Sequence, residues 1–581
     1  MILPTPTRSG LPLRPGAFET LGEALDYAAD GRSGLDFHSV RGELEASLPY
    51  RALRDGALLL ARRLAGHGLN RGDRVGIVAE TRPDFVRAFF ACQYAGLVPA
   101  PLPLPMAFGG REAYVEHVRR LLEGASARAL LFPAALEPML APLRLSLSLR
   151  VCGTVAALER DGAPDGVLPA PATAADIAYL QFSSGSTRFP VGIAVHQAAL
   201  MANLRGILRH GLRIRDGDRA VSWLPFYHDM GLVGFLLAPL AGQIGVDLLA
   251  TQDFARRPAT WLQLISDKGG TVSYSPSFGY ELCTRRSAAA SPGLDLSRWR
   301  VAGIGGDMIR PGALEGFAAA FAPAGFPRTA FLPSYGMAEA TLAISFAPAG
   351  DGAAFDVVDL DRLERDGIAA PFDAATGAPG RMREFASCGE PLPDHEIEVR
   401  DEEGGVLGER RAGRVFVRGP SLMRGYDDRP EETAAVLSAD GWLDTGDLGY
   451  RLGRSLVITG RLKDLIIVNG RNVWPQDLEW SVEEAVDGVR AGTVAAFSLE
   501  EDGREVLVLA VETRLLPDAA EFAALRDAVA DTIRARHGLD ARVALLPPGA
   551  LPFTSSGKLS RSAARQRFLS GTLKQPVPAA G

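Results

Sequence analysis

The sequence predicts an α/β protein of two or three domains, and three features of the chain indicate it. Its 581 residues are 47% hydrophobic and 23% charged, a composition that fits a globular chain too long for a single core. Up to residue 386, short β-rich runs alternate with longer amphipathic stretches, the pattern of mainly parallel sheets covered by helices. Beyond that point the pattern changes twice, which indicates further units of a different kind.

The elements of the first region can be placed in order along the chain. A strand-like run at 75–79 precedes a helical pattern at 83–95. Further strands are predicted at 129–132, 220–224 and 271–274. We therefore expect layers of helix and sheet, with strands that run mainly parallel.

The segment 386–459 is expected to differ from the region before it. It carries short alternating strands at 397–400, 414–417 and 456–459, with turns between them. This pattern is typical of an antiparallel barrel or sheet.

After Gly460 the pattern changes again, to that of a compact α+β unit with the length of one small domain. We expect a boundary near 461–463, and hence an N-terminal domain of residues 1–460 and a C-terminal domain of residues 461–581. The predicted elements of this unit are strands at 465–468, 494–497 and 506–511 and helices near 475–486 and 518–537.

Charge and cysteine content exclude several classes of protein. A net charge of -7 gives no reason to expect binding to nucleic acid or to an anionic membrane. The four cysteines form no C-x-x-C and the eight histidines are scattered, so neither a disulfide framework nor a structural zinc site is expected. No signal peptide is evident. The longest uncharged run, between Asp229 and Asp247, is broken by glycines and Pro239 and indicates buried core rather than a membrane span. These features fit a cytoplasmic protein.

The stretch 179–192 has the composition of a polyphosphate-binding loop. Its hydroxyl groups can donate hydrogen bonds, and its glycine lets consecutive N–H groups converge on an anion. No Walker A motif occurs there, and a plain surface turn can have the same composition. After an apolar, strand-like lead-in, the loop residues are Ser183, Ser184, Gly185, Ser186 and Thr187.

Downstream segments decide between these interpretations, because five of them follow the loop in a fixed order. They are 223–232 (WLPFYHDMGL), 333–342 (PSYGMAEATL), 441–449 (GWLDTGDLG), 460–466 (GRLKDLI) and 554–559 (TSSGKL). With these segments the chain resembles, over nearly its whole length, the adenylate-forming superfamily of acyl-CoA synthetases, firefly luciferase and nonribosomal adenylation domains.

Within that superfamily the sequence is most similar to the fatty acyl-AMP ligases. The loop reads Ser-Gly-Ser-Thr-Arg-x-Pro as it does in that branch, and segments 276–283 and 470–477 are similar to its signatures. The stretch from about 345 to 385 resembles the insertion of this branch, which is associated there with poor use of free CoA. The chain departs from the family at 305–308, which reads Gly-Gly-Asp-Met, and at 473–474, where Val-Trp replaces a His-Tyr pair.

The resemblance implies an architecture and a reaction. The architecture is a large N-terminal domain of two α/β subdomains plus a small β-barrel-like subdomain, followed by a small mobile α+β C-terminal domain. The reaction uses ATP and Mg²⁺ to convert a medium- or long-chain fatty acid to its acyl-adenylate with release of pyrophosphate. The acceptor is then the phosphopantetheine thiol of an acyl carrier protein on a separate chain. A monomer is expected by the same resemblance.

The family's nucleotide-binding residues can be carried over one by one. Tyr335 would pack on adenine, and Glu339 would hold Mg²⁺ together with phosphate oxygens. Asp447, expected in a tight turn between strands, would accept both ribose hydroxyls, and Arg461 would add a second polar contact to the nucleotide. The other nucleotide-binding candidates are the loop residues 183–187 and Gly305, Gly306, Asp307, Ser334, Gly336 and Met337.

Three further residues match positions with roles in catalysis or motion, and each has an alternative. Lys558 would bridge the substrate carboxylate and the α-phosphate as a compact cation, although it could be a surface lysine. His228 would be a catalytic gate between the acyl tunnel and the nucleotide, or else a core histidine. Lys463 would be the hinge about which the C-terminal domain rotates, or else a solvated linker residue.

Other functions stay open at this point. An acyl-CoA synthetase shares the first step but delivers the acyl group to free CoA, and the 345–385 segment counts against it. An amino-acid-activating domain would need an Asp for the substrate amine, and none could be located securely. A non-catalytic nucleotide-binding protein is disfavoured by the joint presence of Glu339, Asp447, Arg461 and Lys558.

Overall fold

The computed structural model describes residues 9–105, 110–161, 165–182, 190–287, 293–373, 381–468, 471–501, 504–516, 520–554 and 558–573. Over these residues the alternation predicted in the first region is present as two mainly parallel sheets covered by helices. No helix among them combines the length and the apolar composition that a membrane crossing requires.

The larger of these sheets, here the central sheet, contains nine strands of the described chain. Its six inner strands run parallel, whereas the outer ones pair antiparallel. Parallel strands bring their carboxyl ends to one edge of a sheet, where ligand crevices form. In spatial order the strands are Glu390–Pro391, Ala343–Phe346, Phe331–Gly336, Val301–Ile304, Val272–Ser275, Arg219–Ser222, Gly245–Leu249, Gly34–His38 and Leu44–Pro49.

A four-stranded parallel sheet forms the second α/β layer. The predicted helix is present as Pro83–Ala95. It begins with a proline, which costs no hydrogen bond because the N–H groups of a first helical turn have no partner within the helix. It ends at Gly96, whose φ of 65° is a left-handed cap. The strands of this sheet are Val98–Leu102, Arg74–Val78, Ala129–Leu131 and Val151–Gly153.

The helices that cover the two sheets differ widely in length. Those of nine or more residues in the first region are Leu21–Ala29, Tyr50–Gly66, Pro83–Ala95, Arg111–Gly124, Gln197–Gly206, Ala259–Lys268, Ser277–Ser287 and Pro311–Phe321. The shorter ones are Glu137–Leu140, Leu143–Ser146, Val155–Arg160, Asp229–Leu232, Ala238–Ala241 and Thr251–Arg256. Two further short helices, Leu360–Asp366 and Pro430–Val436, lie outside these two layers.

The antiparallel sheet predicted after residue 386 is confirmed. It contains the strands Glu396–Arg400, Gly413–Arg418, Leu443–Leu452 and Ser455–Arg461, in that order. A separate small sheet, which we call the hairpin sheet, contains Gly425–Tyr426, Gly192–His196 and Ile177–Phe182.

The segment expected at about 345–385 contains a two-stranded antiparallel unit. Phe355–Asp359 pairs antiparallel with Met382–Ala386, and the helix Leu360–Asp366 follows the first strand. Ala343–Phe346, by contrast, belongs to the central sheet. We call residues 355–386 the insertion unit.

The residues after 461 form sheets and cores of their own. A short hairpin of Ile466–Val468 and Arg471–Val473 precedes a three-stranded sheet. Apolar side chains from this sheet and from two of the helices pack into a separate core that includes Leu478, Leu509 and Val529. The strands of the sheet are Val494–Glu501, Arg504–Glu512 and Ala541–Leu546, and the helices are Pro475–Ala485, Ala520–His537 and Arg561–Leu569.

Candidate active site

The nucleotide-binding candidates of the central sheet gather at the carboxyl ends of two neighbouring parallel strands. Both strands end at the same edge of the sheet, so residues far apart in sequence become neighbours. They are Gly305, Gly306 and Asp307 after Val301–Ile304, and Ser334, Tyr335, Gly336, Met337 and Glu339 in and after Phe331–Gly336.

Two glycines at this edge are required by the backbone. Gly306 has a φ of 83°, in the left-handed region that glycine adopts without strain. A Cβ atom on Gly336 would lie 1.8 Å from the carbonyl oxygen of Leu342. Substitution of Gly336 would therefore move the chain that carries Tyr335 and Glu339, and substitution of Gly306 would strain the turn that precedes Asp307.

Asp447 lies inside the strand Leu443–Leu452, so the prediction of a tight turn between strands is wrong. The sequence suggested a turn because of its glycines, but Gly446 only bends the strand, with a φ of 68°. Asp447 stands opposite Arg461 in the antiparallel register, with a bulge just beyond it. Arg461 Nε lies 3.4 Å from Asp447 Oδ1.

Tyr335 connects this strand to the central sheet. Its hydroxyl donates a hydrogen bond of 2.6 Å to Asp447 Oδ2. Burial raises the pKa of the Asp447 carboxyl, although Arg461 and the Tyr335 hydroxyl act in the opposite direction. The ring proposed for adenine and the carboxylate proposed for ribose are therefore in direct contact.

Glu339 lies in a short turn after the strand that carries Tyr335. Its Oε1 accepts a hydrogen bond of 3.1 Å from the Tyr426 hydroxyl. Burial raises the pKa of its carboxyl, and the Tyr426 hydrogen bond lowers it in part. A single hard carboxylate beside a phosphate site fits Mg²⁺, which takes one or two carboxylates together with phosphate oxygens and water.

Lys558 is brought from the C-terminal region to this edge of the central sheet. Loss of hydration and the neighbouring Arg461 lower the pKa of its ammonium group, while Asp229, Asp307 and Asp447 act in the opposite direction. Loss of hydration also raises the pKa of Asp307 to about 6, and the Ser277 amide and Lys558 oppose that rise. One ammonium group thus lies in the field of carboxylates from three distant segments.

His228 precedes the short helix Asp229–Leu232, and its Nδ1 lies 2.6 Å from Asp229 Oδ1. The Asp229 carboxylate is buried, yet the charges of His228 and Lys558 hold its pKa below the usual value. His228 therefore lies within the same charged cluster as Lys558 rather than in an isolated part of the core.

Lys463 lies on the turn Leu462–Asp464, where the chain enters the C-terminal region. Loss of hydration and the charge of Arg461 lower the pKa of this lysine, whereas the charges of Asp464 and Asp447 raise it in part. This position is compatible with the hinge expected from the sequence, and it places the lysine near the nucleotide-binding candidates as well.

The loop residues Ser183, Ser184, Gly185, Ser186 and Thr187 lie outside the described residues. The strands on either side of the loop, Ile177–Phe182 and Gly192–His196, pair antiparallel. The Gln181 side-chain amide donates a hydrogen bond of 2.8 Å to the carbonyl of Tyr227, next to His228. The loop is thus flanked by strands that adjoin the candidate site.

Sequence reasoning missed three residues that the structure adds to the site. Asp229 follows His228 directly, so its place in that segment could have indicated it. Ser277 donates to Asp307 through its amide, at 3.3 Å, and Tyr426 donates to Glu339. The sequence does not indicate the contacts of Ser277 and Tyr426, because the partner of each is distant along the chain.

The chain is similar to proteins of a known enzyme family. Residues 32–427 match the family of AMP-binding enzymes, which is more than half of the chain. The chain is 53% identical to a protein of Caulobacter vibrioides (strain NA1000 / CB15N) named as a candidate acyl-CoA synthetase, over 98% of both chains. It is 33% identical to the medium-chain-fatty-acid–[acyl-carrier-protein] ligase JamA of Moorena producens (strain JHB), over 96% of both chains.

A solved structure is similar over almost the whole chain. It comes from structural and functional studies of fatty acyl-adenylate ligases from E. coli and L. pneumophila. The TM-score is 0.91 at 43% identity, and the match covers 97% of this chain and 100% of that one. This likeness confirms the predicted fold class.

Proposed function

This chain belongs to the AMP-binding enzyme family and is an AMP-forming fatty acyl-AMP ligase, and we propose that it transfers its acyl group to the phosphopantetheine thiol of an acyl carrier protein. The observation that carries the proposal is the set of contacts by which the insertion unit holds the C-terminal region. The substrate is a medium- or long-chain fatty acid, as the similarity to a medium-chain ligase supports.

In the first step a carboxylate oxygen of the fatty acid attacks the α-phosphorus of ATP. The new bond joins that oxygen to the α-phosphorus, the bond to the β-phosphate oxygen breaks, and pyrophosphate leaves. Two anions must approach each other, so a positioned cation lowers the barrier. Lys558 supplies that cation between the carboxylate and the α-phosphate, and the neighbouring Asp307 and Asp229 keep its ammonium in place.

The nucleotide is held by residues of two sheets. Tyr335 packs on the adenine ring, and Asp447 and Arg461 contact the ribose, while Gly305 to Asp307 line the adenine edge. Glu339 would hold Mg²⁺, which supplies neutralisation of charge on the phosphates when bound. The hydroxyls of the 183–187 loop would contact the phosphates.

In the second step the thiol sulfur attacks the acyl carbonyl carbon. A thioester bond forms, the bond between that carbon and the phosphate oxygen breaks, AMP leaves, and the thiol proton is lost. Lys558 is not assigned to this step. Rotation about Lys463 would withdraw Lys558 and bring another face of the C-terminal domain to the adenylate.

The insertion unit contacts the C-terminal region directly. The guanidinium of Arg383 lies 4.5 Å from the ring centre of Trp480 and 2.5 Å from Asp477 Oδ1. Asp477 is 6% exposed, and burial raises its pKa to about 6 while Arg383 lowers it. Removing one member of such a buried pair leaves the charge of the other member buried without a partner, which is destabilising.

Two further charged contacts join the same units. Arg381 lies 3.3 Å from His537 Nδ1, and Arg471 donates to Glu364 at 2.5 Å. The helix of the insertion unit and the last turn of the helix Ala520–His537 are therefore joined through a shared network of charges.

Trp474 adds an apolar contact between the two units. It is 3% exposed and packs with Leu360, Phe385 and Tyr450 in a core that the insertion unit helps to form. Gly460 makes room for this ring, since a Cβ atom there would lie 2.6 Å from it. The Val-Trp pair noted in the sequence is thus part of the contact with the insertion unit.

These contacts favour an acceptor that is itself a protein. Rotation of the C-terminal domain must break the Arg383 pair, the Arg381 network and the Trp474 contact. A carrier protein can form a new interface that offsets this loss, whereas free CoA offers only a small contact area. An acyl-CoA synthetase stays the second candidate, because the name of the Caulobacter relative indicates that activity.

An acceptor assay tests the proposal. The enzyme would be incubated with ATP, Mg²⁺ and a panel of fatty acids, and then offered free CoA and a holo acyl carrier protein in parallel. Mass spectrometry would report acyl-AMP, acyl-CoA and acyl-carrier. We expect acyl-AMP to accumulate with CoA and to be consumed by the carrier, and rapid formation of acyl-CoA would contradict the proposal.

A further inference from the structure

Tyr426 contacts Glu339 but has no role in the two reaction steps proposed for the enzyme. Tyr426 lies in the two-residue strand Gly425–Tyr426 of the hairpin sheet, 87 residues after Glu339. Its hydroxyl donates to Glu339 Oε1 at 3.1 Å. Both side chains are half-buried, so the contact is shielded in part from water.

The backbone around Tyr426 joins the Glu339 turn to the strand that follows the 183–187 loop. We call residues 423–427 the bridging segment. On one side the amide of Met423 donates to the carbonyl of Glu339 at 2.7 Å. On the other side the backbone amide of Arg424 donates to the carbonyl of Ala194 at 2.9 Å, and the backbone amide of Asp427 donates to the carbonyl of Gly192 at 2.7 Å. A single short segment is therefore hydrogen-bonded to both.

The bridging segment and the Glu339 turn are both anchored. The Asp427 carboxylate accepts from the Arg74 guanidinium at 2.8 Å, which ties the segment to the four-stranded sheet. Thr341, two residues after Glu339, has a φ of 70° and donates through its hydroxyl to the carbonyl of Ser421 at 2.7 Å. A threonine with a positive φ persists only where its surroundings fix it.

We propose that Tyr426 is a positioning residue that orients the Glu339 carboxylate for the Mg²⁺ ion carried by ATP. The Tyr426 hydroxyl donates a hydrogen bond to one oxygen of the Glu339 carboxylate, Oε1. This contact would direct the other oxygen toward the phosphates of ATP. Mg²⁺ demands near-ideal octahedral geometry, so a carboxylate that rotates freely binds it less well. This inference rests on the proposed role of Glu339.

The arrangement also relates metal binding to phosphate binding. The strand Gly192–His196, which follows the hydroxyl-rich loop, pairs with Gly425–Tyr426 in register. Because one segment contacts both this strand and Glu339, its hydrogen bonds set the position of the Glu339 turn relative to the strand that follows the loop. Hydrogen-bond partners of metal ligands act in this way in other proteins.

Calorimetric titration with ATP, in EDTA and in excess Mg²⁺, tests the proposal without relying on turnover. The ratio of the two Kd values is the gain in affinity that Mg²⁺ provides. In Tyr426→Phe we expect this gain to fall about 10-fold or more, with the Kd of metal-free ATP unchanged. An unchanged ratio would overturn the proposal, even if the variant were less stable or less active.

Two further variants make the result specific. Tyr94→Phe removes a tyrosine hydrogen bond of 2.6 Å to the Asp26 carboxylate, outside the candidate site, and should leave the gain unchanged. In Glu339→Gln the gain should be lost, and adding Tyr426→Phe to it should have no further effect. If Glu339→Gln keeps the gain, the assignment of Glu339 is wrong and the inference falls with it. If Glu339→Gln loses the gain and Tyr426→Phe keeps it, only the role of Tyr426 is wrong.

Thermal denaturation of each variant shows whether it is folded. Phenylalanine retains the ring of Tyr426, so we expect the Tm of Tyr426→Phe to change little. If that variant does not fold, Glu339→Asp serves instead, because it shortens the side chain away from the Tyr426 hydroxyl. It should then lose the Mg²⁺ gain, and a retained gain would count against the proposal.

Discussion

The hydroxyl of Tyr335 donates a 2.6 Å hydrogen bond to Asp447 Oδ2, which joins the central sheet to the antiparallel sheet across 112 residues of sequence. The ring on which adenine is proposed to pack therefore also orients the carboxylate proposed for the ribose. Arg461 Nε lies 3.4 Å from the other carboxylate oxygen of Asp447, Oδ1. Three side chains proposed to contact the nucleotide are thus held by one another.

Removing this hydroxyl should weaken ATP binding more than it affects chemistry. Tyr335→Phe keeps the ring for adenine but leaves Asp447 without its donor, and a hydrogen bond to a charged group contributes about 1.5–3 kcal/mol. We expect the KM for ATP to rise about 10-fold or more in ATP–pyrophosphate exchange, with kcat nearly unchanged. Equal effects on kcat and kcat/KM would indicate a role in the transition state instead.

Lys558 should separate the two half-reactions. Lys558→Ala removes the cation between the two reacting anions, and loss of one such group costs roughly 10²–10³ in rate. Pyrophosphate exchange should fall by that factor, while transfer from supplied acyl-AMP to the carrier should persist. Intact exchange in this variant would refute the assigned role.

The pH profile of adenylation should reflect the environment of Lys558. Loss of hydration and Arg461 lower the pKa of this ammonium below the usual 10.5, so the active cation is lost at a lower pH than for a free lysine. The alkaline limb of kcat/KM should therefore lie below 10.5. Lys558→Arg keeps its charge at higher pH, and its alkaline limb should move upward. A limb that is the same in both enzymes would assign the titration to another group.

The sequence motifs indicated the distant candidates Asp447 and Lys558 as well as the run at 334–339, but they did not indicate contacts made by residues outside a motif. The run from Ser334 to Glu339 lies in one strand and the turn that follows it, so its members are neighbours along the chain; their role in nucleotide binding stays a prediction. The contact of Tyr426 with Glu339 could not be predicted, since it arises only when a two-residue strand joins the hairpin sheet.

Asp447 shows how local signals can mislead. Its glycine neighbours are typical of turns, yet pairing with the strand Ser455–Arg461 keeps the segment extended. Tertiary pairing outweighed turn propensity here.

The contacts of Arg383 give the most direct prediction about the acceptor. Arg383→Ala leaves Asp477 buried without its partner, which is strongly destabilising for the interface between the insertion unit and the C-terminal region. Arg383→Ala combined with Asp477→Asn should restore part of that interface, since no charge is then stranded. Deletion of the whole insertion unit is less informative, because Phe385 and Val358 belong to the core around Tyr450.

The measurement we would make first is the ratio of acyl-CoA to acyl-carrier formed from the same acyl-AMP pool, in the wild type and in Arg383→Ala. Arg362→Ala is the matched control, since Arg362 is an exposed arginine of the same unit whose ion pair, with Asp366, spans 3.9 Å. If the insertion unit restricts the acceptor, the ratio should be low in the wild type and in the control and should rise at least several-fold in Arg383→Ala. A wild-type enzyme that forms acyl-CoA readily, with a ratio that Arg383→Ala leaves unchanged, would contradict the proposal that the insertion unit restricts the acceptor.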